Sequence, residues 1–572
     1  MANYYGIDLG TTNTVVYEGN FSLTDDEDER EYTLAAKQFT SAINTSFSGL
    51  SLPSVALVTN IANDPTKRQI FVGHDALANA AIDSRNSVVY LNTKRYTGQD
   101  GKIELEGGYK PSDIATEFLK QCGEAIVAGK KLSAERKKQK IARVNVCITR
   151  PASYNMFANV ATEEAAKRAG FEKASLLDEP QAALLSFLYE NIENEAARQE
   201  LFRRQEENHG KLNVLVIDIG GGTTDVRIQS LRVSEMTAEE REQNSTIYSN
   251  YNVEFYNNDG SDHRSTSNNY HGFGGMDFDN AAMEKLFDIV EKEYYEKTGR
   301  SLNDLSEYEM KQVMAKIMVE AENYKKELSK ILPENRETYV GTILLTNLYN
   351  NVTIKFNLSR KEYVSWVEHL CENPDMDSIN AQTSVFGIVY QTILKSGYRL
   401  DDFSYVYVTG GMSQYLPLRE MFERKFKDTK TKLCFSEHPL EDIARGAALY
   451  GNFFNMIEPK PTLNTNYYID NPCGEPFLLA ADGTALPTGV KTIEKFMRTT
   501  NPVEVEISIL DGYSIYDVNL REIKRVKAQL IIPDKRGTDI DVRYSIAENQ
   551  ALTLDLIICH KNRDPEVISV NV

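Results

Sequence analysis

Two stretches of the sequence combine an apolar strand, an aspartate and a glycine–threonine turn. Residues 4–16 read YYGIDLGTTNTVV, and residues 214–226 read VLVIDIGGGTTDV. Glycines lack a Cβ, so the backbone can turn sharply near a ligand, and successive amide groups in such a turn form a concavity that binds anions. The repeated pattern predicts an internal duplication with two phosphate-gripping hairpins, which could clamp the β- and γ-phosphates of a nucleotide from both sides.

The aspartates at the ends of these strands add a second kind of chemistry. Asp218 can hold Mg²⁺ through water, and Asp8 occupies the same place in the first stretch. A third apolar strand, residues 403–409, runs into Gly410 and Gly411. A tight turn without any ligand is the alternative for a single motif of this kind, and the recurrence of the motif favours a nucleotide site.

Several elements must position these turns. Residues 71–92 are predicted to be helical and lead to Lys94 and Arg95. Residues 175–188 are predicted to form a strand, a turn and a helix, with Glu179 at the loop tip because a residue before proline is biased away from helix. Residues 307–332 have the clearest helical periodicity. Their polar face is either solvated or part of a ligand site; it consists of Glu322, Lys325, Lys326 and Ser329.

Composition limits the possible functions. The chain has 572 residues and a formal net charge of −19, which argues against a generic surface for nucleic acid or anionic membrane. Its six cysteines are scattered without paired spacing, which is typical of reduced thiols in the cytosol. We recognise no signal sequence and no apolar run of the roughly 18 residues that a membrane span needs. The chain is therefore expected to be cytoplasmic.

The pattern of the chain changes near residue 457. Residues 1–456 alternate helical and strand patterns, and residues 457–466 contain prolines and read as a linker. From residue 467 to residue 572 helical signals vanish and strand alternation takes over, as in residues 503–510. The sequence thus predicts a large α/β domain, a linker and a separate all-β domain.

Together the motifs resemble those of the 70-kDa heat-shock chaperones, the DnaK family. In order they are GIDLGTTNTVV, the pair KR, ITRPASYN, LLDEPQAALL, VIDIGGGTTDV, FGGMDFD, EAENYKKELS and VTGG. The resemblance implies an α/β actin-like ATPase with two lobes, each a mixed sheet with helices, followed by an all-β sandwich-like domain. It implies ATP or ADP and Mg²⁺ as cofactors, with K⁺ as a further candidate.

The resemblance also assigns roles around the phosphates. Lys94 resembles the lysine that positions the γ-phosphate and the attacking water, and Glu179 the carboxylate that orients metal-bound water. Asp8, Asp218 and Thr223 complete the implied catalytic set. Asp8, Asp218 and Asp225 are the implied metal acids. The implied phosphate loops are Gly10, Thr11, Thr12 and Asn13, and Gly220, Gly221, Gly222 and Thr223.

The remaining positions of the resemblance surround adenosine. They are Gly274, Gly275, Glu322, Lys325, Lys326, Ser329, Gly410 and Gly411. Met276 stands where the family has Glu, and the stretch MSQYLP after Gly411 lacks the family's arginine. The linker, NMIEPKPTLN, also departs from the family's short apolar run between aspartates. The chain ends just after the β domain, so the family's helical lid is expected to be absent, either by nature or by truncation.

For the β domain the resemblance rests on GTALPTG and PVEVEISILDG. It implies that the domain binds an extended apolar peptide by strand addition, with pockets for alternate side chains. Candidate pocket residues are Phe496, Val503, Val505 and Ile507, and ordinary core positions are the alternative for each. A J-domain co-chaperone and a nucleotide-exchange factor are the implied protein partners, with no nucleic acid and no membrane.

Three other functions compete with an ATP-hydrolysing chaperone. A non-hydrolysing chaperone relative, a holdase or nucleotide-exchange co-chaperone, would not need Lys94, Glu179 and Thr223 together. A small-molecule kinase would transfer phosphate to a metabolite, and it would need neither the β domain nor the EAENYKKELS helix. An actin-type filament former would be hindered by the appended β domain. Single-turnover hydrolysis distinguishes the leading hypothesis from the non-hydrolysing relative, transfer to a sugar or acetate would favour the kinase, and sedimentation with ATP tests the filament former.

Overall fold

A computed structural model divides the chain into two compact units. The first comprises Met1–Ser153 and Glu163–Ile457, and the second comprises Tyr154–Thr162 and Glu458–Val572. Cys473 and half of the predicted linker, residues 459–462 and 464, lie outside the residues that the structure describes. Those residues are 2–23, 30–60, 68–80, 87–100, 103–105, 108–152, 154, 156–256, 266–267, 272–332, 335–373, 384–458, 463, 465–470, 474–499, 503–512, 514–516, 520–530, 537–560 and 563–571.

The first half of the large unit is built on a mixed sheet with the strand order β11-β10-β1-β2-β3. β1 pairs antiparallel with β2 and parallel with β10, and β10 pairs parallel with β11. The elements are β1 Ala2–Leu9, β2 Asn13–Leu23, β3 Arg30–Ala36, β4 Phe39–Thr40, β5 Ser48–Gly49, β6 Ser51–Pro53, β7 Val55–Thr59, β8 Gln69–Val72, α1 Gly73–Ala80, β9 Ser87–Leu91, α2 Pro111–Val127, α3 Ala134–Arg143, β10 Asn145–Arg150 and β11 Ala174–Asp178. Helix α4 Met156–Arg168 begins among the residues of the second unit and ends among those of the first.

The second half repeats this plan with the strand order β19-β18-β12-β13-β14-β20. β12 is buried along its whole length, as its apolar sequence predicts. The elements are α5 Glu179–Glu193, α6 Glu195–Glu207, β12 Leu212–Ile219, β13 Thr224–Glu235, α7 Ala238–Gln243, β14 Tyr251–Tyr256, β15 Thr266–Ser267, α8 Gly275–Thr298, α9 Glu307–Leu328, β16 Val340–Tyr349, β17 Val352–Ser359, α10 Arg360–Cys371, α11 Val385–Ser396, β18 Tyr405–Thr409, α12 Leu416–Phe426, β19 Lys432–Phe435, α13 Asp442–Leu449 and β20 Asn455–Ile457.

The two hairpins that carry the glycine–threonine turns are topologically equivalent. β12 pairs antiparallel with β13 and parallel with β18, just as β1 pairs with β2 and β10. Asp8 pairs with Val15 in the first hairpin, and Asp218 pairs with Asp225 at the equivalent place in the second. The internal duplication predicted from the two motifs is therefore confirmed at the level of topology, and the second hairpin carries an extra acid.

Helices α5 and α13 cross closely through small residues, Ala182 and Gly446. Gly446 of α13 lies so near Ala182 of α5 that an added Cβ would collide with the carbonyl oxygen of Ala182. Gly6 of β1 meets the backbone of α13 in the same way, at Ala444. The small-residue sequence of α13 thus permits backbone-to-backbone packing that a larger side chain would prevent.

Two local expectations need correction. Residues 71–92 are not one helix, because α1 ends at Ala80 and residues 87–91 form strand β9 against β7. Glu179 is not at an exposed loop tip, because it is the first residue of α5 and is buried. Proline is well tolerated in the first helical turn, so the Glu-Pro pair begins this helix instead of preceding it.

The second unit contains two four-stranded antiparallel sheets around one apolar core. The strand orders are β22-β21-β24-β25 and β23-β26-β27-β28. Both sheets contribute alternate residues to the core, the arrangement of a β-sandwich. The strands are β21 Asn466–Ile469, β22 Phe477–Ala480, β23 Lys491–Arg498, β24 Glu504–Gly512, β25 Arg521–Gln529, β26 Asp539–Ile546, β27 Leu552–Ile558 and β28 Glu566–Asn571.

Candidate phosphate-binding site

The two glycine–threonine turns face each other and touch. A Cβ at Gly221 would collide with the Thr12 hydroxyl, and one at Gly222 would collide with the Thr11 methyl group. One turn comes from the first sheet and the other from the second sheet, so glycines of one half converge on threonine side chains of the other. This convergence is the geometry that a two-sided phosphate clamp requires.

The first turn is held by a serine that sequence reasoning missed. The Ser54 hydroxyl donates to the carbonyl oxygen of Gly10 at 2.6 Å, and the Ser54 amide donates to the carbonyl of Thr12 at 2.8 Å. A Cβ at Gly10 would collide with the carbonyl oxygen of Asn13. Because both carbonyls bond to Ser54, they are fixed on one side of the turn. A serine between two strand patterns offers little sequence signal for this role.

The second turn is held by the beginning of α8. The amide of Gly275 donates to the carbonyl of Gly220 at 3.0 Å, and the amide of Met276 donates to that of Gly221 at 2.8 Å. Within the turn, the Gly220 amide donates to the carbonyl of Thr223 at 2.9 Å. The otherwise unpartnered amides of a helix N-terminus thus fix the carbonyls of the phosphate turn.

The third glycine turn reaches the same place. Gly410 has a φ of 81°, in the left-handed region that favours glycine. An added Cβ there would collide with Oδ1 of Asp218. Gly410 therefore packs directly behind the acid that ends β12.

Lys94 and Glu179 form an ion pair in which both side chains are nearly buried. Lys94 lies in the 3₁₀ turn Thr93–Tyr96, which follows Asn92 in a left-handed conformation. A recess beside this turn is lined by Leu9, Gly10, Ser54, Thr93, Lys94, Thr97, Pro111, Ala115 and Phe118. The tertiary structure thus brings together two residues that lie 85 positions apart in the chain.

Three aspartates lie in the electric field of this ion pair; Asp218 and Asp225 are buried, and Asp8 is half-buried. Burial raises the pKa of Asp8 to about 7, while Lys94 lowers it and Glu179 raises it. Burial raises the pKa of Asp225 to about 8, with a further rise from Glu179. The pKa of Asp218 also rises well above its ordinary value, chiefly because of burial and then because of Glu179. Burial and the neighbouring acids thus favour the protonated form of these carboxyl groups, and a bound cation would compete with those protons.

This cluster of carboxyl oxygens suits a divalent cation, which favours their ionised form when it binds. Carboxylate oxygens are the donors that Mg²⁺ prefers, and Mg²⁺ usually keeps several of its waters. Among the residues that the structure describes, no group of three acidic, histidine or cysteine side chains lies close enough to hold a metal ion directly. The donor set therefore fits a hydrated ion that Asp8, Asp218 and Asp225 would hold through water.

The predicted nucleoside residues separate into two groups. The buried Lys325 donates to Oδ2 of Asp279 at 2.6 Å and to the carbonyl of Gly275 at 2.8 Å. Met412, next to Gly411, lies against Gly275. The structure thus brings Lys325, Gly274, Gly275, Gly410 and Gly411 to the second phosphate turn.

The other nucleoside residues lie elsewhere on α9. Glu322 and Lys326 form an ion pair along the helix at 2.6 Å, with the Lys326 side chain 62% exposed. The Ser329 hydroxyl donates to the carbonyl of Lys325 at 3.3 Å, within its own helix end. These three side chains already have partners on their own helix, so their assignment to adenosine stays a prediction.

Two further residues near the cleft were not singled out for a role. The guanidinium of Arg95 donates to the carbonyl of Gly222 at 2.6 Å and lies 3.6 Å from Asp277. The Thr149 hydroxyl donates to Oδ1 of Asp8 at 3.3 Å. Arg95 thus links the first half to the second phosphate turn, and the Lys-Arg pair in the sequence was the available signal for it.

The four candidate peptide-contacting residues of the β unit differ in how deeply they are buried. Val505 and Ile507 belong to the buried core, so the ordinary-core alternative describes their environment. Val503 is 43% exposed, and Phe496 is partly buried. Phe496 packs edge-to-face against Phe477, with ring centroids 5.9 Å apart.

The duplicated pair of mixed sheets defines the actin-like fold, followed by an all-β sandwich in the second unit. The family model described as Hsp70 protein matches residues 4–239 and 258–556. The chain therefore belongs to the Hsp70 family of chaperones, as its motifs predicted. No helix among the described residues is long and apolar enough to cross a membrane.

Named relatives agree with the family. The chain is 24% identical over 564 residues to the chaperone protein DnaK of Mesomycoplasma hyopneumoniae strain J, covering 96% of this chain and 75% of the relative. It is 25% identical over 586 residues to the chaperone protein DnaK of Mycoplasmopsis pulmonis, covering 99% of this chain and 78% of the relative. At this identity the relatives support a divergent member of the family.

Proposed function

We propose that this protein is a chaperone that binds and hydrolyses ATP with Mg²⁺ and binds extended apolar segments of unfolded polypeptides. The observation that carries the ATPase half is the contact between two equivalent turns, Thr11–Thr12 and Gly221–Gly222. A clamp of this kind is useful for a ligand that presents phosphate oxygens to both halves. The buried ion pair and aspartates beside it supply what phosphoryl transfer needs, positioning and charge neutralisation.

In this proposal, separate groups of residues bind the phosphates, stabilise the developing charge and orient the attacking water. The amides and hydroxyls of the two turns bind the β- and γ-phosphates. Mg²⁺, when bound, neutralises charge that develops on the phosphate oxygens. Lys94 adds a positive point charge next to the γ-phosphate, and Glu179 orients the attacking water. Lys325 lies at the nucleoside end.

The experiment for this half is phosphate release from ATP in a single turnover, with and without Mg²⁺. We expect Mg²⁺-dependent hydrolysis to water that EDTA abolishes. Tight ATP binding without any phosphate release would favour the non-hydrolysing chaperone relative. Transfer of the phosphate to a sugar or acetate would favour the kinase, and sedimentation with ATP would reveal a filament former.

The peptide half rests on the exposed apolar residues of the β unit. β22 lies at one end of its four-stranded sheet, and its Phe477 and Leu478 are exposed. Phe477 and Phe496 form an apolar patch beside a sheet edge, and Leu478 is exposed on the same edge strand, which suits an extended peptide that adds as a strand. We propose this patch in place of Val505 and Ile507 as the first contact of the peptide.

Phe477→Ser is expected to weaken binding of a fluorescent apolar heptapeptide by about tenfold, because it removes an aromatic side chain from the patch. Fluorescence anisotropy gives the Kd. Val567→Ser is the matched control, since Val567 is similarly exposed but lies on β28 of the other sheet. Equal Kd values for both variants would contradict this site, and no saturable binding up to millimolar peptide would contradict the peptide half altogether.

Family membership also suggests protein partners and a compartment. We propose that a J-domain co-chaperone and a nucleotide-exchange factor act on the first unit. The described cysteines form no disulfide with one another, which suits a reducing compartment such as the cytoplasm. Stimulation of phosphate release by a J-domain protein is the measurement for the first of these partners.

A further inference from the structure

Asp178 is held by two arginines immediately before the proposed catalytic Glu179. Its Oδ1 lies 3.1 Å from the guanidinium of Arg150, and its Oδ2 accepts a hydrogen bond from Arg227 at 3.0 Å. All three side chains are only about one-fifth exposed. Charge-assisted contacts with little solvent around them are among the stronger polar interactions in proteins.

The side chain of Asp178 does not cap the helix that it precedes. It is the N-cap residue of α5 and has the extended backbone typical of that position, yet its side chain makes no capping hydrogen bond. An aspartate cap usually stabilises a helix by about 1 kcal/mol. Here the carboxylate instead faces the arginines, so its position is set by contacts outside its own helix.

The two arginines reach Asp178 from different sheets. Arg150 is the register partner of Asp178 on the neighbouring strand β10, within the first sheet. Arg227 belongs to β13 of the second sheet, where Gln229 accepts hydrogen bonds from it at 2.9 and 3.2 Å. Of the two ion pairs of Asp178, the one with Arg227 therefore joins the two halves of the unit, whereas the one with Arg150 lies within the first sheet.

The ends of this pair lie next to the phosphate-binding machinery. Asp178 precedes Glu179, and Arg227 follows Asp225 by two residues. The phosphate turns of the two halves touch, so a triphosphate can pass between them only when the two sheets move apart. Such a movement also separates Asp178 from Arg227, because each is carried on a strand of a different sheet.

Building on the proposed ATPase function, we propose that Asp178 and Arg227 are positioning residues of the phosphate cleft. Their ion pair holds the two sheets together and sets the rate at which bound nucleotide leaves. Arg150 keeps the Asp178 carboxylate aimed across the cleft. Neither side chain of the pair takes part in the chemical step.

The first test is the release of a fluorescent N-methylanthraniloyl derivative of ADP, followed by stopped flow. Asp178→Asn and Arg227→Gln are each expected to accelerate release by about tenfold, because each removes one charge of a half-buried pair. The double variant is expected to match the single variants, since both substitutions break the same contact. Fully additive effects, or unchanged release, would overturn the proposal.

A matched control exists in the second half. Glu420 is also held by two arginines, Arg336 at 3.5 Å and Arg360 at 2.6 Å, but all three residues follow β12 and none comes from the first sheet. Glu420→Gln and Arg360→Gln should leave ADP release unchanged. If these controls accelerate release as much as the Asp178 and Arg227 variants, the effect is general destabilisation and the proposal fails.

A second measurement does not depend on nucleotide. Amide hydrogen exchange at residues 10–13 and 220–223 should be about tenfold faster in Asp178→Asn and Arg227→Gln than in the wild type, and unchanged in the two controls. Unchanged exchange in the cross-sheet variants would overturn the proposal. A wild type that binds no ADP would contradict the proposed ATPase function, and the exchange result would then decide the role of the pair by itself.

Discussion

Lys94→Ala is expected to slow single-turnover ATP hydrolysis by about 10²- to 10³-fold, the usual cost of removing one preorganised charge that stabilises a transition state. The ammonium of Lys94 lowers the pKa of Asp8, Asp218 and Asp225, so its field reaches every acid of the site. In the Lys94→Ala variant, the negative charge that develops on the phosphate oxygens in the transition state would lie near four acidic residues without the stabilising ammonium of Lys94.

The control for this variant is Lys37→Ala. Lys37 also forms an ammonium–carboxylate pair, with Glu18 at 3.1 Å, in the first half and away from the phosphate turns. Its hydrolysis rate should equal that of the wild type. Quenched-flow measurement of phosphate separates hydrolysis from product release. A Lys94→Ala protein that hydrolyses ATP at the wild-type rate would refute the assigned role of this lysine.

Gly446→Ala is expected to destabilise the first unit by about 3 kcal/mol. Alanine normally stabilises a helix relative to glycine by about 1 kcal/mol, but here the new methyl group would collide with the Ala182 carbonyl. Neither backbone can yield without moving α5 or α13. Because Ala182 lies one turn after Glu179 in α5, such a movement should also displace Glu179 from Lys94 and slow hydrolysis.

Urea unfolding followed by circular dichroism measures the change in stability. Gly49→Ala is the control, because a Cβ at Gly49 would make only ordinary contacts and its φ is not in the left-handed region. Gly49→Ala should stay within about 0.5 kcal/mol of the wild type. A Gly446→Ala protein at least as stable as the wild type would show that the helix crossing tolerates a wider spacing.

Much of the fold was predictable because its signals are local. The apolar strands before Asp8 and Asp218, the glycine turns and the loss of helical periodicity after residue 466 are all properties of short segments. Each gave the correct element, since strand burial and turn chemistry depend on a few adjacent residues. The duplication followed from comparing two such segments.

The errors arose where neighbours in space decide the outcome. Residues 87–91 carry a pattern compatible with helix, yet they pair with β7, so the sheet overrides local propensity. Glu179 was expected at an exposed loop tip because of the following proline. It is instead the first residue of α5 and forms a buried ion pair with Lys94, which lies far away in the sequence. Val505 and Ile507 were candidate contacts, and the second sheet of the sandwich covers them.

The sequence by itself determined the family, the two glycine–threonine turns and the fold class, an α/β part followed by a β-rich part, because these depend on residue types at fixed local spacing. The tertiary structure alone decided that the turns touch and that Ser54 and the start of α8 hold them. It also decided that Asp178 bridges two sheets to Arg227. Contacts between segments far apart in the chain depend on how the two halves pack, and local spacing does not encode that packing.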